Sequence, residues 1–182
     1  MSIEFVPAGD IRDDPADLHV VAVNLVPGVM GAGQAKAYAD RWPVLRETHR
    51  RAVNCGVLSL DRGQIEWIFG DSTRPEGGIL GLYLFATKAD WRKASQLEWI
   101  ARGLNGLIET VWRINEAQRQ KPWAVMGGVG HGIRSIACPA LGCGLGSLRW
   151  ADVKTLIEAS AGRCPEVEWR VYGPGAERRI AS

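Results

Sequence analysis

No apolar run in this chain approaches the ~20 consecutive residues that a helix needs to cross a bilayer. The opening residues Met1-Ser2-Ile3-Glu4-Phe5 also lack the basic segment and apolar stretch of a secretory leader. A soluble, cytoplasmic protein without membrane association is therefore expected. Cysteine is scarce and scattered: Cys55, Cys138, Cys143 and Cys164 form no pair at close metal-ligand spacing. With no secretory context to favour disulfides, they read as reduced thiols. His19, His49 and His131 repeat no zinc-ligand spacing, so no metal is expected. An excess of either charge is missing too, with 22 Lys and Arg against 20 Asp and Glu. A net +2 excludes a broad basic field for nucleic acid and leaves open only a local basic rim.

What the chain does have is enough apolar content for a sizeable core. Its 182 residues, 46% hydrophobic, are close to the usual size of one domain, and no repeat or low-complexity segment suggests a second. The domain is expected over residues 1–174, with residues 175–182 as a frayed, flexible tail. Apolar runs at residues 3–6 and 18–23 read as strands, the second central and buried. Residues 35–41 and 45–53 read as two short helices, separated because Pro43 disfavours helix at Trp42. Residues 57–60 and 65–69, flanking Asp61-Arg62-Gly63, have the length and alternation of a β-hairpin. Residues 79–85 supply another strand. Leu97, Ile100, Leu104, Leu107, Ile108 and Val111 then fall on one helical face. The polar and glycine-rich stretch 118–132 reads as a surface insertion or mobile loop. Strand, helix and strand follow at 135–138, 150–160 and 167–172. This alternation predicts an α/β fold: three layers, α/β/α, around a central mixed sheet.

Two strand ends run into glycine-dense turns followed by helices. The first turn is Asn24-Leu25-Val26-Pro27-Gly28-Val29-Met30-Gly31-Ala32-Gly33 and the second is Pro139-Ala140-Leu141-Gly142-Cys143-Gly144-Leu145-Gly146-Ser147. Such turns present backbone N–H groups and the positive end of a helix to an anion, and glycine permits close approach of a ligand. Neither ends in the Gly-Lys-Ser or Gly-Lys-Thr of a triphosphate loop. Either alone signifies little. As a pair in an α/β sheet, they are placed to converge on one crevice at the carboxyl ends of the strands.

Three segments in this order resemble the macrodomain family: Val29-Met30-Gly31-Ala32-Gly33-Gln34-Ala35, then Leu84-Phe85-Ala86-Thr87-Lys88, then Leu141-Gly142-Cys143-Gly144-Leu145-Gly146-Ser147-Leu148-Arg149-Trp150. Within the family, the resemblance is to the branch of the DarG and terminal ADP-ribose protein glycohydrolase macrodomains. It runs from Ala8 to the helix near Trp150. By this resemblance ADP-ribose is the ligand and no cofactor is needed. Asp10 would accept a hydrogen bond from the adenine amino group, with the Ile11 backbone beside it. Asn24 and the Val29 to Gly33 turn would surround the distal ribose, and the Leu141 to Gly146 turn would cradle the diphosphate with backbone donors. Lys88 matches the branch's lysine implicated at the anomeric carbon of the distal ribose. Burial near the crevice would lower its pKa and free a neutral amine.

The resemblance implies an ADP-ribosyl glycohydrolase. DNA bases, thymidine-linked above all, are the favoured acceptors, and acidic protein side chains or non-catalytic ADP-ribose reading are the alternatives. Four positions depart from the family pattern. Val21 replaces an additional asparagine, Gly146 stands where protein-directed members carry an acidic residue, and Ala32 and Arg149 replace common lysine and aspartate choices. The Gly146 departure tilts the reading towards DNA. Trp91 and Arg92 form a candidate substrate rim, an aromatic plane beside a cation. His131 and Cys143 read as poor candidates for catalysis, the first as a solvated loop histidine and the second as a packing residue. A monomer is expected, and any countering of a toxin would act only by reversing the modification.

Overall fold

The computed structural model describes residues 2–71, 78–121 and 132–174. The proposed tail at 175–182 and His131 lie outside these residues. Six strands form one mixed sheet: β1 (Ser2–Val6), β2 (Leu18–Asn24), β3 (Gln64–Ile68), β4 (Leu80–Lys88), β5 (Ser135–Pro139) and β6 (Glu168–Tyr172). Their order is β1-β6-β5-β2-β4-β3, and every pairing is parallel except that of β3 with β4. The helices are α1 (Gly33–Arg41), α2 (Val44–Asn54), α3 (Leu97–Gln120) and α4 (Trp150–Gly162). A single 3-10 turn, Ile11–Asp13, follows β1.

Strand alternation splits the core in two. Leu18 and Val20 of β2, with Tyr83 and Phe85 of β4, face Ile100, Leu104 and Leu107 of α3 and Val153 and Ile157 of α4. Val21 and Val23, with Leu82 and Leu84, face Tyr38 of α1 and Leu45 of α2. With a period of 2 along the strand, one residue serves one layer and the next serves the other. Strand β4 is buried along its whole length, which explains its nearly continuous apolar run. The three-layer α/β/α reading of the sequence is borne out.

The expected hairpin over 57–60 and 65–69 does not form. The N–H of Val57 instead closes the end of α2 by donating to Ala52 O at 3.0 Å, and Gly56 N–H donates to Val53 O at 3.1 Å. Gly56 takes the left-handed conformation, φ +67°, that this helix stop requires. Residues 59–62 then close on each other, with Ser59 N–H donating to Arg62 O at 2.8 Å. The partner of β3 is β4, not the segment before it. The polar stretch read from residue 118 also begins later than expected, because α3 continues to Gln120 and ends just ahead of Pro122. The remainder of that stretch, residues 122–131, lies outside the described residues.

Two glycines on α3 let neighbours approach closely. A Cβ on Gly103 would lie 2.5 Å from Phe85 Cζ, and one on Gly106 would lie 2.0 Å from the Asp61 carbonyl oxygen. Alanine is favoured over glycine inside a helix by about 1 kcal/mol. Overpacking against backbone costs roughly 1–3 kcal/mol and opposes that gain. Gly106→Ala is therefore expected to lower stability by roughly 1–2 kcal/mol in denaturant unfolding, and an increase would show that the 59–62 turn yields.

Candidate functional site

Strands β6, β5, β2 and β4 are neighbours and parallel, so their carboxyl ends share one edge of the sheet. The loops leaving that edge enclose a cavity of about 610 Å³, within the range of small-molecule sites. Asn24, Val29, Gly31, Ala32 and Gly33 line it from the first glycine turn. Gly142, Cys143, Gly144, Leu145 and Gly146 line it from the second, and Lys88 and Trp91 from the end of β4 and beyond. The two turns meet: Leu145, 71% exposed, extends to within 3.8 Å of where a Cβ of Gly33 would stand.

Other residues named from the sequence lie apart from the cavity wall. Met30 and Leu141 are buried in the two halves of the core. Arg92 stacks its guanidinium over Trp91, 4.9 Å from the ring centroid, and pairs with Asp90. Ile11 is fully buried. The Asp10 carboxylate caps the 3-10 turn, accepting from the Arg12 N–H at 2.9 Å and pairing with its guanidinium. That pairing holds Asp10 below the usual carboxylate range. Val21 is also buried, against α1 and α2 and not against the cavity.

The walls are rich in unused backbone donors. Among the described residues, the N–H groups of Gly144, Leu145 and Gly146 donate to no protein acceptor. The turn itself is closed by Leu148 N–H to Gly142 O and Ser147 N–H to Gly144 O. Opposite them, α1 begins at Ala32 without any side-chain cap, and Gly33, Gln34 and Ala35 of its first turn line the cavity. The first N–H groups of a helix have no intrahelical partner, so this end is a concentration of positive dipole. The Ala32 side chain offers these N–H groups no acceptor. At Arg149, the N-cap of α4, a side-chain cap is likewise absent.

Gly146 has a steric cause. A Cβ there would lie 2.3 Å from Ser95 Oγ and 2.4 Å from Gly142 O, so no side chain fits without moving the turn. The Ser95 N–H donates to Gly146 O at 3.0 Å and clamps the turn from beneath. The Ser95 hydroxyl is buried and finds no protein partner among the described residues.

Lys88 closes the centre of the site. The β2–β4 register slips between Val23 and Asn24, leaving Thr87 as the extra residue of a bulge just before the lysine. Such bulges re-aim the side chains beside them. Thr87 Oγ1 donates to Val23 O at 3.2 Å and Lys88 Nζ donates to Leu145 O at 2.8 Å. Lys88 is only 7% exposed and has no carboxylate partner among the described residues, so burial pulls its pKa below the ordinary lysine value. Cys143, by contrast, has its thiol pushed up to about 11 by burial, which makes it a poor nucleophile.

Sequence reasoning missed several wall residues. Gln34 joins α1 to β2, its Oε1 accepting from Ala22 N–H at 2.9 Å. Tyr172 ends β6 at the cavity, its hydroxyl donating to Asp14 at 2.6 Å while Arg170 Nε donates to the same oxygen at 2.7 Å. The signal for Tyr172 was its place before Gly173-Pro174 at a strand end on the same sheet edge.

No family model matches the chain. It is 31% identical over 166 residues to a DNA ADP-ribosyl glycohydrolase of Thermus aquaticus, a match covering 91% of this chain and 40% of that protein. The chain thus spans about two fifths of the length of the curated relatives it matches. Among solved structures, the macrodomain of Mycobacterium tuberculosis DarG superposes with a TM-score of 0.75 at 27% identity, covering 94% of this chain and 97% of that one. Thermosipho africanus DarTG in complex with ADP-ribose shares the fold, with a TM-score of 0.75 at 24% identity over 98% of this chain and 45% of that one.

The desolvated setting of Lys88 makes its titration measurable. With lysines carrying ¹³C-methyl labels, Lys88 is expected to titrate below the other lysines, because burial disfavours its charged form. An ordinary or raised midpoint would show that the ammonium is solvated or paired.

Proposed function

We propose that this chain, which belongs to the macrodomain family in its DarG-like branch, hydrolyses the bond joining ADP-ribose to a modified DNA base, with thymidine as the favoured base. The observation that carries this reading is the meeting of the unpaired N–H groups of Gly144, Leu145 and Gly146 with the uncapped start of α1 beside one buried lysine. A diphosphate set against Gly144, Leu145, Gly146 and the open start of α1 would satisfy donors that no protein group satisfies. The distal ribose then extends towards Asn24 and the 29–33 turn. The adenine extends towards Tyr172 and Asp10, whose carboxylate has lone pairs to share between Arg12 and an amino group.

In this pose Lys88 Nζ stands at the anomeric carbon of the distal ribose. The Leu145 carbonyl aims it, and burial enlarges the fraction present as neutral amine. The base leaves with the electron pair of the broken bond and a proton, and water supplies the hydroxyl that ADP-ribose retains. If the amine bonds to the sugar carbon during turnover, hydride reduction traps an adduct on Lys88. If it acts only as a positioned charge, the same treatment leaves the lysine unmodified.

Trp91, 52% exposed at the mouth with Arg92 stacked on it, offers the attached strand a platform for a base and a cation for a phosphate. DNA as the polymer rests on the names of the relatives together with this rim. Opposing a DNA-modifying transferase by reversing its product belongs to the same reading.

ADP-ribose release from modified thymidine-containing DNA and from modified protein, run beside calorimetry with free ADP-ribose, tests the proposal. Lys88→Ala is expected to lower kcat on DNA by roughly 100-fold or more while ADP-ribose affinity changes little. Trp91→Ala is expected to raise KM for DNA by about tenfold. Equal turnover by Lys88→Ala removes its catalytic role, faster release from protein transfers the substrate assignment, and binding without release from either substrate leaves an ADP-ribose reader.

A further inference from the structure

His49, which the sequence presented only as a histidine outside any zinc pattern, stands at the base of the first glycine turn. It is fully buried on α2, and both ring nitrogens are committed to the backbone of that turn. Gly28 N–H donates to Nδ1 at 3.2 Å, and Nε2 lies 2.7 Å from Asn24 O. Only one form of the imidazole satisfies both contacts, the neutral ring with Nδ1 bare and the hydrogen on Nε2.

The rest of α2 acts on the same turn. Arg46 donates to Met30 O at 2.9 Å, and the stem of Arg50 lies 3.7 Å from where a Cβ of Gly28 would be. The Asn24 side chain closes the turn from within, donating to Val29 O at 2.9 Å and accepting from Val26 N–H at 2.8 Å. Asn24 and Val29 line the cavity, whereas His49 does not. The helix is thus a template, and His49 is its one contact that depends on a proton.

We propose that His49 is a positioning residue for the distal-ribose end of the site: its neutral Nε2–H form holds residues 24–29 in the shape that receives the sugar, and protonation of the ring releases them. This rests on the ADP-ribose reading above. The charged groups on the elements around the ring are Arg46, Glu47, Arg50 and Arg51 of α2, with Glu47 paired to both Arg50 and Arg51, Glu66 of β3, which accepts from the Thr48 hydroxyl, and Lys88 at the end of β4. None of them hydrogen-bonds the imidazole. Burial disfavours the charged ring more than the Asn24 carbonyl favours it, so its pKa lies below the ordinary histidine value. A histidine lowered in this way contributes fully above about pH 6.5, the unfolded value, and its contribution declines as pH falls below that.

The test measures ADP-ribose affinity of the wild type, His49→Gln and His49→Phe by calorimetry between pH 8 and 5. It is combined with KM and kcat on modified DNA and with ¹⁵N spectra of the wild-type imidazole and of the 24–33 amides. At neutral pH the wild type should show a bare Nδ1 and a protonated Nε2, and its affinity should fall towards pH 5 as the loop amides shift. His49→Phe should bind about tenfold more weakly at pH 7.5, reflecting two lost hydrogen bonds, and show no comparable decline with acid. His49→Gln, which offers a donor and an acceptor that do not titrate, should keep more affinity than His49→Phe and lose the pH dependence. KM should move more than kcat. An Nδ1–H tautomer, wild-type affinity in a folded His49→Phe, or an unchanged pH profile in His49→Gln would overturn the assignment. Should the variants fail to fold, the wild-type tautomer and pH profile decide it. Failure of the wild type to bind ADP-ribose at all would instead defeat the functional reading. The coupling of loop amide shifts to the imidazole titration would then still decide whether His49 holds the turn.

Discussion

Everything at the candidate site depends on four neighbouring parallel strands, β6, β5, β2 and β4, delivering their carboxyl ends to one edge. Side-chain alternation buries both faces of those strands, so a one-residue slip would exchange the side chains of the two core layers and misfit both. That rigidity gives the loops fixed points of departure. Among the described residues the bulge at Thr87 is the one local irregularity of register, and it occurs where the lysine enters the cavity. A scaffold of this kind holds irregular backbone in register by its anchors, without asking the loops to be regular.

The site divides its electrostatic work between two kinds of group. Backbone amides and the bare start of α1 line the place assigned to the diphosphate, and one desolvated amine stands between them. The amine is bound to a carbonyl and not to a carboxylate, which leaves its proton affinity under the control of burial. Beneath this layer, Ser95 and His49 brace the turns through backbone contacts, and Gln34, itself part of the wall, ties α1 to β2. Ser95 and His49 thus support the cavity wall without lining it, whereas Gln34 does both. The supports carry little of the glycine-rich pattern that marks the wall.

This arrangement explains what was legible in the sequence. The continuous apolar run at 18–23 and the helical face of α3 follow from burial alone, and both stand as expected except that Leu97, at the first position of α3, is exposed. The 57–60 segment misled because its alternating pattern says nothing about competition for its N–H groups, which the end of α2 and the tight turn at 59–62 claim first. In the glycine turns the sequence located the backbone but not the direction of each side chain. Met30 and Leu141 therefore turn inward while their neighbours line the cavity. Lys88 was visible through its family pattern. Tyr172 carried only the signal of a strand end before Gly173-Pro174, and His49 carried none, because its relation to the turn exists only once α2 packs beneath it.

The uncapped start of α1 also has a bearing on ionic strength. Dipoles fixed in a recessed wall have no mobile counterions to release, whereas the exposed Trp91 and Arg92 rim meets the screening of the surrounding electrolyte directly. In the proposed reading, added salt would loosen capture of the polymer while leaving the grip on the nucleotide sugar nearly untouched. The molecule would then hold its product with a strength that its ionic surroundings scarcely alter.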